Sequence, residues 1–252
     1  MIISTRITQS VALITCSMAA LTAHAHVFNN NLSWPYHGRF VIQAGVFDAH
    51  QGENQHIGIN GLIGDQFTVT RHNDSNALLG VGYYIDGQPI RNYKMMYGLN
   101  AFYLPETTVR GHVLQENIFD NLSYQYRINQ FPIYVDAKVL FNPGINWASN
   151  LTVDAGLGLN VIRSFDFKEK SLDGGITIPD HPFSDNTTVD FSATIGAGVI
   201  FNSMPMTCLP IEIGYRFFYL GEGKFKTATN QINHGLRTGN SYANALIVSV
   251  FL

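Results

Sequence analysis

Residues 151–163, LTVDAGLGLNVIR, constrain the fold most, because apolar side chains alternate strictly with polar or small ones. A period of two places successive side chains on opposite faces of a β-strand. One face of this strand is entirely apolar, whereas the other combines glycine with Asp154 and Asn160. Such a strand fits the wall of a soluble β-sandwich or the wall of a membrane barrel.

The same alternation recurs along the chain and predicts nine clear strands, with a tenth, less regular one in GLIGDQFTVTR. Many of these segments run to about ten residues, which exceeds the usual soluble strand and suits a tilted strand crossing a bilayer. In NLSYQYRI we expect Leu122, Tyr124, Tyr126 and Ile128 to face lipid. The other eight segments are GRFVIQAGVF, NALLGVGYYI, NYKMMYGLNAFYL, IYVDAKVLF, LTVDAGLGLNVIR, TTVDFSATIGAGVIFN, LPIEIGYRFFYLG and SYANALIVSVFL.

Amino-acid composition distinguishes a soluble β-sandwich from a membrane barrel. Charged residues make up only 13% of the chain, about half of the typical share, while there are 17 Phe and 12 Tyr. Aromatic residues end several apolar faces, as at Tyr103, Phe141, Phe201 and Tyr219, where an interfacial girdle would place them. The sequence therefore predicts an all-β protein, a transmembrane antiparallel up-and-down β-barrel of ten strands, or of eight if one predicted strand belongs to a loop.

The N-terminus predicts export. Residues 1–25 combine an early Arg6, a short apolar run and the cleavage pattern Ala23-His24-Ala25, which is typical of a cleaved signal peptide. We expect residues 26–252 to form a single barrel domain without a transmembrane helix, because no later apolar stretch reaches about 18 residues. Cys208 would be the one cysteine left, so no intramolecular disulfide is expected. Removal of Arg6 leaves 14 basic against 18 acidic residues, which argues against a nucleic-acid partner.

The polar faces of the predicted strands carry charges of both signs. Inside a narrow barrel such charges either pair and fill the interior or line a small polar pore, and ion pairing is the favoured interpretation. The side chains expected to face the lumen are Arg39, Arg127, Asp136, Lys138, Asp154, Glu212 and Arg216.

Loop parity, counted back from Leu252 on the periplasmic side, makes the long segments 164–187 and 221–240 external and the turns NSMPMTCLP and NPGINWASN internal. The same count makes NQFP a short external turn and the segment after Leu104 an internal connection. We expect segment 164–187 to be a mobile surface loop, since it lacks the regular aspartate spacing of a calcium loop.

No catalytic, cofactor or metal site is predicted. The chain contains no G-x-S-x-G, HExxH, Walker or CxxC motif. Asp48 and His50 have the spacing of a general base with its orienting carboxylate, but ordinary solvated loop residues explain them better. His50 and His56 do not make a closed metal site by themselves.

The signal peptide, the strand IEIGYRFFYLGEG and the closing strand YANALIVSVFL resemble the opacity-type and OmpA-like small outer-membrane barrels of Gram-negative bacteria. The resemblance implies a non-enzymatic surface protein in contact with outer-membrane lipid, structural or adhesin-like. Its external loops 164–187 and 221–240 would contact a host-surface or extracellular ligand. A small porin with a charged lumen is the alternative, and a hydrolase at the barrel rim is a third hypothesis.

Overall fold

The computed structural model describes residues 38–87, 93–144, 148–201 and 209–252, so the predicted signal peptide 1–25 and Cys208 lie outside the described residues. In the described ranges no helix is long and apolar enough to span a membrane. The chain there forms twelve strands. They are β1 (Gly38–His50), β2 (Gln55–Ile57), β3 (Asp65–Arg71), β4 (Asn73–Asp86), β5 (Tyr93–Gln115), β6 (Phe119–Phe141), β7 (Ala148–Ser171), β8 (Phe183–Ser184), β9 (Asn186–Phe201), β10 (Ile211–Lys224), β11 (Lys226–Thr227) and β12 (Arg237–Phe251).

Eight of these strands close into a barrel. Each pairs antiparallel with its neighbour in the order β1-β4-β5-β6-β7-β9-β10-β12, and β12 pairs with β1 from Val41 opposite Phe251 to His50 opposite Tyr242. The predicted antiparallel up-and-down barrel is confirmed. The large sheet contains ten strands, but β2 and β3 extend it beyond β5 without entering the ring. The ring therefore has the eight strands given as the alternative.

Two predicted connections lie inside strands. NLSYQYRI and IYVDAKVLF belong to one strand, β6, and the predicted turn NQFP runs through its middle, where Pro132 lies opposite Asn160 of β7. The segment after Leu104 is likewise not a connection, because β5 continues to Gln115 and turns into β6 at residues 116–118. Two predicted strands thus merge, and the predicted tenth strand, which contains β3, lies outside the ring, so that eight strands remain.

The long connections 51–72, 172–185 and 225–236 and the turn 116–118 lie at one end of the barrel, here called the loop end. The end at which β12 finishes is the terminus end. Segments 164–187 and 221–240 therefore lie on the same side. The first and last residues of these segments, however, belong to the strands β7, β9, β10 and β12. That the loop end faces the cell exterior stays a prediction.

A continuous apolar band surrounds the part of the barrel nearer the terminus end, which we call the lower part; the loop end lies above it. On β6 it runs from Phe131 to Phe141, ten residue steps that correspond to about 25 Å of height for a strand tilted by about 40°. That height matches the apolar band of outer-membrane barrels. Its side chains include Phe40, Val46, Leu79, Val81, Leu99, Tyr103, Val135, Leu157, Phe191, Ile195, Tyr215 and Leu246, all exposed on the isolated chain.

Above this band the two faces exchange their chemistry. Tyr124, Tyr126 and Ile128 are buried inside, and Arg127 lies on the outer face. The prediction that these apolar residues face lipid is therefore wrong. The segment 119–130 of β6 lies beyond the lipid, so its apolar face forms an enclosed core and its polar face meets water.

Two β-bulges bring β5 and β7 into agreement with this exchange. The pairing of β5 with β6 shifts by one residue between Leu104 and Thr107, and the pairing of β7 with β6 shifts between Phe165 and Lys168. Asp166, within the second bulge, has a positive φ of 56°. Each extra residue reverses the facing of the rest of its strand, so Val109 and Phe167 point inward.

Cysteine labelling tests this arrangement. In a Cys16→Ser/Cys208→Ser background reconstituted in bilayers, we expect a water-soluble maleimide to modify Arg127→Cys at least tenfold faster than Val135→Cys, because only position 127 lies above the lipid. Ile128→Cys serves as the inward-facing control and should react slowly. Fast reaction at position 128 with protection at 127 would contradict the assigned facing of β6.

Candidate functional site

The interior of the barrel consists of successive layers of side chains. The inward-facing residues of β6 contribute to these layers in turn, beginning at the terminus end. Leu140 belongs to an apolar layer, Lys138 and Asp136 to an ionic layer, and Tyr134 to a second apolar layer. Gln130 then contributes to a layer of neutral amides. Above it, Ile128, Tyr126, Tyr124 and Leu122 belong to a third apolar core at the loop end.

The ionic layer brings together five of the seven side chains predicted to face the lumen. Lys138 Nζ lies 2.6 Å from Glu212 Oε2 and 3.6 Å from Asp154 Oδ2. Arg216 contacts Asp154 Oδ1 at 2.5 Å and Asp136 Oδ2 at 3.6 Å. All five are at most 5% exposed. Such charges tolerate burial only when paired, and each one here has a partner of opposite sign.

Neutral donors hold one oxygen of Asp136 and one of Glu212, while Asp136 Oδ1 has no hydrogen-bond partner in the described ranges. The Tyr84 hydroxyl donates to Asp136 Oδ2 at 2.7 Å, and the Asn100 side-chain amide donates to the same oxygen at 2.9 Å. Thr152 Oγ1 donates to Glu212 Oε1 at 2.6 Å. These bonds fix the orientation of the two carboxylates, because an oxygen that accepts a hydrogen bond is not free to rotate towards an ion in the lumen.

The glycines on the inner wall are explained by this layer. A Cβ on Gly196 would lie 2.8 Å from Asp154 Oδ1, and a Cβ on Gly198 would lie 2.8 Å from Glu212 Oε1. Carbon and carboxylate oxygen cannot approach so closely without displacement. Glycine on β9 thus makes the room in which the buried carboxylates of β7 and β10 reach their cations.

The remaining two predicted residues lie elsewhere. Arg39 is at the terminus end with a side chain that is one-third exposed, and it pairs with Asp86 at 3.4 Å. Arg127 lies on the outer face above the apolar band, where it contacts Glu106 at 3.2 Å and Asp166 at 3.3 Å. Its predicted lumen position was wrong because the alternation of β6 changes phase at Gln130.

Side chains fill the described interior. Phe102 and Phe218 meet edge to face above the ionic layer, with ring centroids 5.2 Å apart, and the Arg216 guanidinium lies 5.3 Å from the Phe102 ring. The space beside Lys138 and Glu212 amounts to about 10 Å³, room for about one water molecule. An interior of this kind holds no aqueous passage of the size that wide barrels enclose.

A partly enclosed space lies at the loop end. It has a volume of about 170 Å³ and is bounded below by Phe67, Leu122 and Phe183 of the third apolar core. Its sides come from the hairpin β2–β3, from segment 172–185 and from segment 225–236. The lining residues contributed by these walls are Ile57, Ile59, Asp65, Ile178, Asp180, Pro182, Thr229, Gln231 and Ile232. We call this space the loop-end cavity.

Hydrogen bonds hold the walls of the loop-end cavity to one another. Asn60 N–H donates to the Gln231 carbonyl at 2.8 Å, and Asn233 N–H donates to the Gly58 carbonyl at 3.1 Å, which joins the β2–β3 hairpin to segment 225–236. Phe183 of segment 172–185 is buried in the third apolar core. Part of the segment that we expected to be a mobile loop is therefore fixed by packing.

Three carboxylates line the loop-end cavity: Asp180 of segment 172–185, Asp65 from β3 and Glu169 from β7. The two carboxylates on strands, Asp65 and Glu169, each accept one backbone N–H, from Glu116 at 3.2 Å and from Asp180 at 3.1 Å respectively. Neither forms an ion pair with a cation of the described ranges. Burial raises the pKa of Glu169 to about 7, and burial also raises the pKa of Asp65.

Neither Asp65 nor Glu169 was among the site residues predicted from the sequence. Glu169 stands between Lys168 and Lys170, so an alternating strand places it on the face opposite to both lysines. That spacing is visible in the sequence. Which face is enclosed is not visible, because the bulge at Asp166 decides it.

Asp48 and His50 do not form an acid–base pair. Asn73 stands between them, donating to Asp48 Oδ2 at 3.0 Å while its side-chain oxygen lies 2.9 Å from His50 Nδ1. His56 bonds the Ile63 carbonyl instead of approaching His50. In the part of the chain that the structure describes, no three metal-ligating side chains are grouped to hold an ion.

Removal of Arg216 tests how much the ion pairs of the ionic layer contribute to the stability of the barrel. We expect Arg216→Met to lower the free energy of unfolding by about 3–5 kcal/mol, because Asp136 and Asp154 lose a buried cation. The matched control Arg39→Met breaks a partly exposed pair and should cost at most about 1 kcal/mol. Urea unfolding in lipid vesicles measures both, and equal losses would mean that the ionic layer does not stabilise the barrel.

The comparisons with known proteins concern the fold. No protein-family model and no curated protein matches the chain. Similar solved structures include the outer membrane protein OprG from Pseudomonas aeruginosa, with a TM-score of 0.51 and 14% identity over 86% of this chain and 97% of that one. AlkL has a TM-score of 0.41, at 9% identity over 89% and 95% of the chains, and Ail of Yersinia pestis one of 0.34, at 12% over 85% and 99%. This chain has the fold of the small outer-membrane β-barrels.

Proposed function

We propose that the protein is a closed, non-enzymatic outer-membrane barrel that binds a small ligand in its loop-end cavity. The observation that carries the proposal is this cavity, which three separate connections enclose and which ends on a packed core, not on a channel. Binding sites are typically concave, mostly apolar and supplied with a few polar groups. The segments that we predicted to contact a ligand, 164–187 and 221–240, both contribute walls. Adhesion to a host surface through them stays a prediction.

The lining favours a ligand with an apolar body and one positive charge. Isoleucine, phenylalanine and proline side chains provide the apolar surface, while Asp65 and Glu169 provide negative charge without a cation from the described chain. A volume of about 170 Å³ is comparable to cavities that hold one benzene-sized molecule. An aromatic or branched aliphatic amine combines this size with the required charge.

The two other hypotheses find less support. A pore requires an open path through the barrel, and the ionic and aromatic layers occupy the described interior. A rim hydrolase requires an activated base, and Asn73 separates His50 from Asp48.

A conductance measurement tests the closed barrel. Purified protein reconstituted in a planar bilayer should show no steady open level, because the buried ion pairs and the Phe102–Phe218 contact obstruct the interior. A heat-dependent gel shift of the same sample shows that the inserted protein is folded. Reproducible unitary steps from folded protein would contradict the proposal and favour the pore.

Binding of 2-phenylethylammonium tests the charge of the ligand. Affinity should increase at least tenfold from pH 5 to pH 8, because the pKa of Glu169 is about 7 and the carboxylate attracts the ammonium only when it is ionised. Glu169→Gln should remove most of this increase and leave the part that Asp65 contributes, and Glu222→Gln, which removes an acid elsewhere at the loop end, should retain it. Titration calorimetry in detergent measures the affinities.

The neutral isostere 2-phenylethanol separates the two parts of the proposal. Binding of the ammonium at least tenfold tighter than the alcohol supports both the cavity and the cation preference. Equal affinities would retain the cavity and reject the cation preference. Absence of binding by both compounds would contradict a small-ligand site of this size and character.

A further inference from the structure

The outer face of the barrel carries a concave basic surface above the apolar band. Two cross-strand rows form it, Arg110–Gln125–Lys168 and His112–Ser123–Lys170, contributed by β5, β6 and β7. Together with Thr70 of β3 they enclose an open groove of about 530 Å³. We call these residues the basic groove. It lies on the outer face of the sheet whose inner face bounds the loop-end cavity, and Glu169 of β7 lines both spaces.

Two cations of the basic groove lack a carboxylate partner in the described ranges. Arg110 and Lys170 form no ion pair there, whereas Lys168 Nζ lies 2.6 Å from Asp166 and His112 Nδ1 lies 3.0 Å from Asp120. Arg110 and Lys170 stand on opposite sides of the groove, with the central strand β6 between them. Hydroxyl and amide groups of Ser123 and Gln125 line the floor. Cations that flank polar side chains suit phosphate or carboxylate groups.

The height of the groove restricts the source of such anions. Gln125 lies six residues above Phe131, which corresponds to about 15 Å above the hydrocarbon for a strand tilted by about 40°. The polar region of a phospholipid leaflet extends only about 5–8 Å beyond the hydrocarbon. A phospholipid headgroup therefore ends below the groove, but a lipid with several anionic sugars reaches it.

We propose that the basic groove binds the anionic saccharide part of an outer-leaflet glycolipid. The lower wall of the same strands contacts the acyl chains at Phe131 and Val161, so the lipid runs along one continuous surface. Arg110 and Lys170 neutralise phosphate or carboxylate groups on its sugars. The groove thereby orders a specific lipid against the β5–β6–β7 wall, independently of any ligand in the loop-end cavity.

Binding of fluorescent rough lipopolysaccharide with a phosphorylated inner core tests the proposal on detergent-solubilised protein. Arg110→Gln/Lys170→Gln should weaken binding at least tenfold and reduce its salt dependence. The matched variant Lys224→Gln/Arg237→Gln removes two exposed cations from β10 and β12 and should change affinity less than twofold. Ser123→Tyr fills the groove without a change of charge and should also weaken binding.

Three further probes identify the ligand. Lipid A without core sugars should bind equally to the wild type and to Arg110→Gln/Lys170→Gln, because its phosphates lie below the groove. Lipopolysaccharide with a dephosphorylated core should lose the difference between these two proteins. Competition by millimolar inorganic phosphate alone would assign the groove to a free anion and overturn the proposal, as would equal weakening by the β10–β12 variant.

Discussion

Closure of the backbone hydrogen-bond ladder between β1 and β12 is the constraint on which the rest of the structure depends. A strand edge cannot remain unpaired in hydrocarbon, because each free N–H or C=O group there costs several kcal/mol. Closure with eight strands fixes a narrow interior. Charged side chains placed inside it lie within reach of one another, and this proximity makes Lys138, Arg216 and their three carboxylates a packed layer instead of a water-filled lumen.

The wall then crosses from lipid into water as one sheet in which bulges shift the ladder locally, so its two faces must exchange chemistry. β6 does this by sequence: its outward odd-numbered positions are apolar up to Phe131, and above Gln130 its inward even-numbered positions are apolar instead. β5 and β7 do it by backbone: apolar residues at odd positions, such as Leu99 and Leu157, face outward below the bulge, and the bulge turns odd positions above it, such as Val109 and Phe167, inward. Apolar side chains of neighbouring strands thus enter the same core, in β6 through a change in the sequence pattern and in β5 and β7 through a bulge.

This difference explains how far the sequence could predict the fold. The regular alternation of β7 and β9 identifies lipid-facing residues such as Leu157 and Ile195 correctly, because period two has one meaning within the apolar band. The change of phase in the apolar alternation of β6 is compatible with a turn between two strands or with one strand that passes into different surroundings. The predicted turn was wrong. Pro132 favoured it, since proline lacks the N–H of a strand ladder.

Partner choice inside the barrel was beyond prediction from sequence for a related reason. Alternation predicts that Asp154 and Glu212 point inward, but not that Arg216 meets Asp154 across β9, where Gly196 leaves room for the contact. Strand register decides such pairs, and register depends on the turns and bulges along the whole chain. The loop-end cavity is even less predictable, because three connections distant in sequence enclose it.

The bulge at Asp166 links the two proposed sites. Below it, even-numbered residues of β7 point inward, as Thr152 and Ser164 do. Continued without the bulge, this facing would place Lys168 and Lys170 inside the apolar core at the loop end and Glu169 on the outer wall. Two unpaired ammonium groups in that core would carry a large desolvation cost. One inserted residue therefore puts the carboxylate into the loop-end cavity and both lysines into the basic groove.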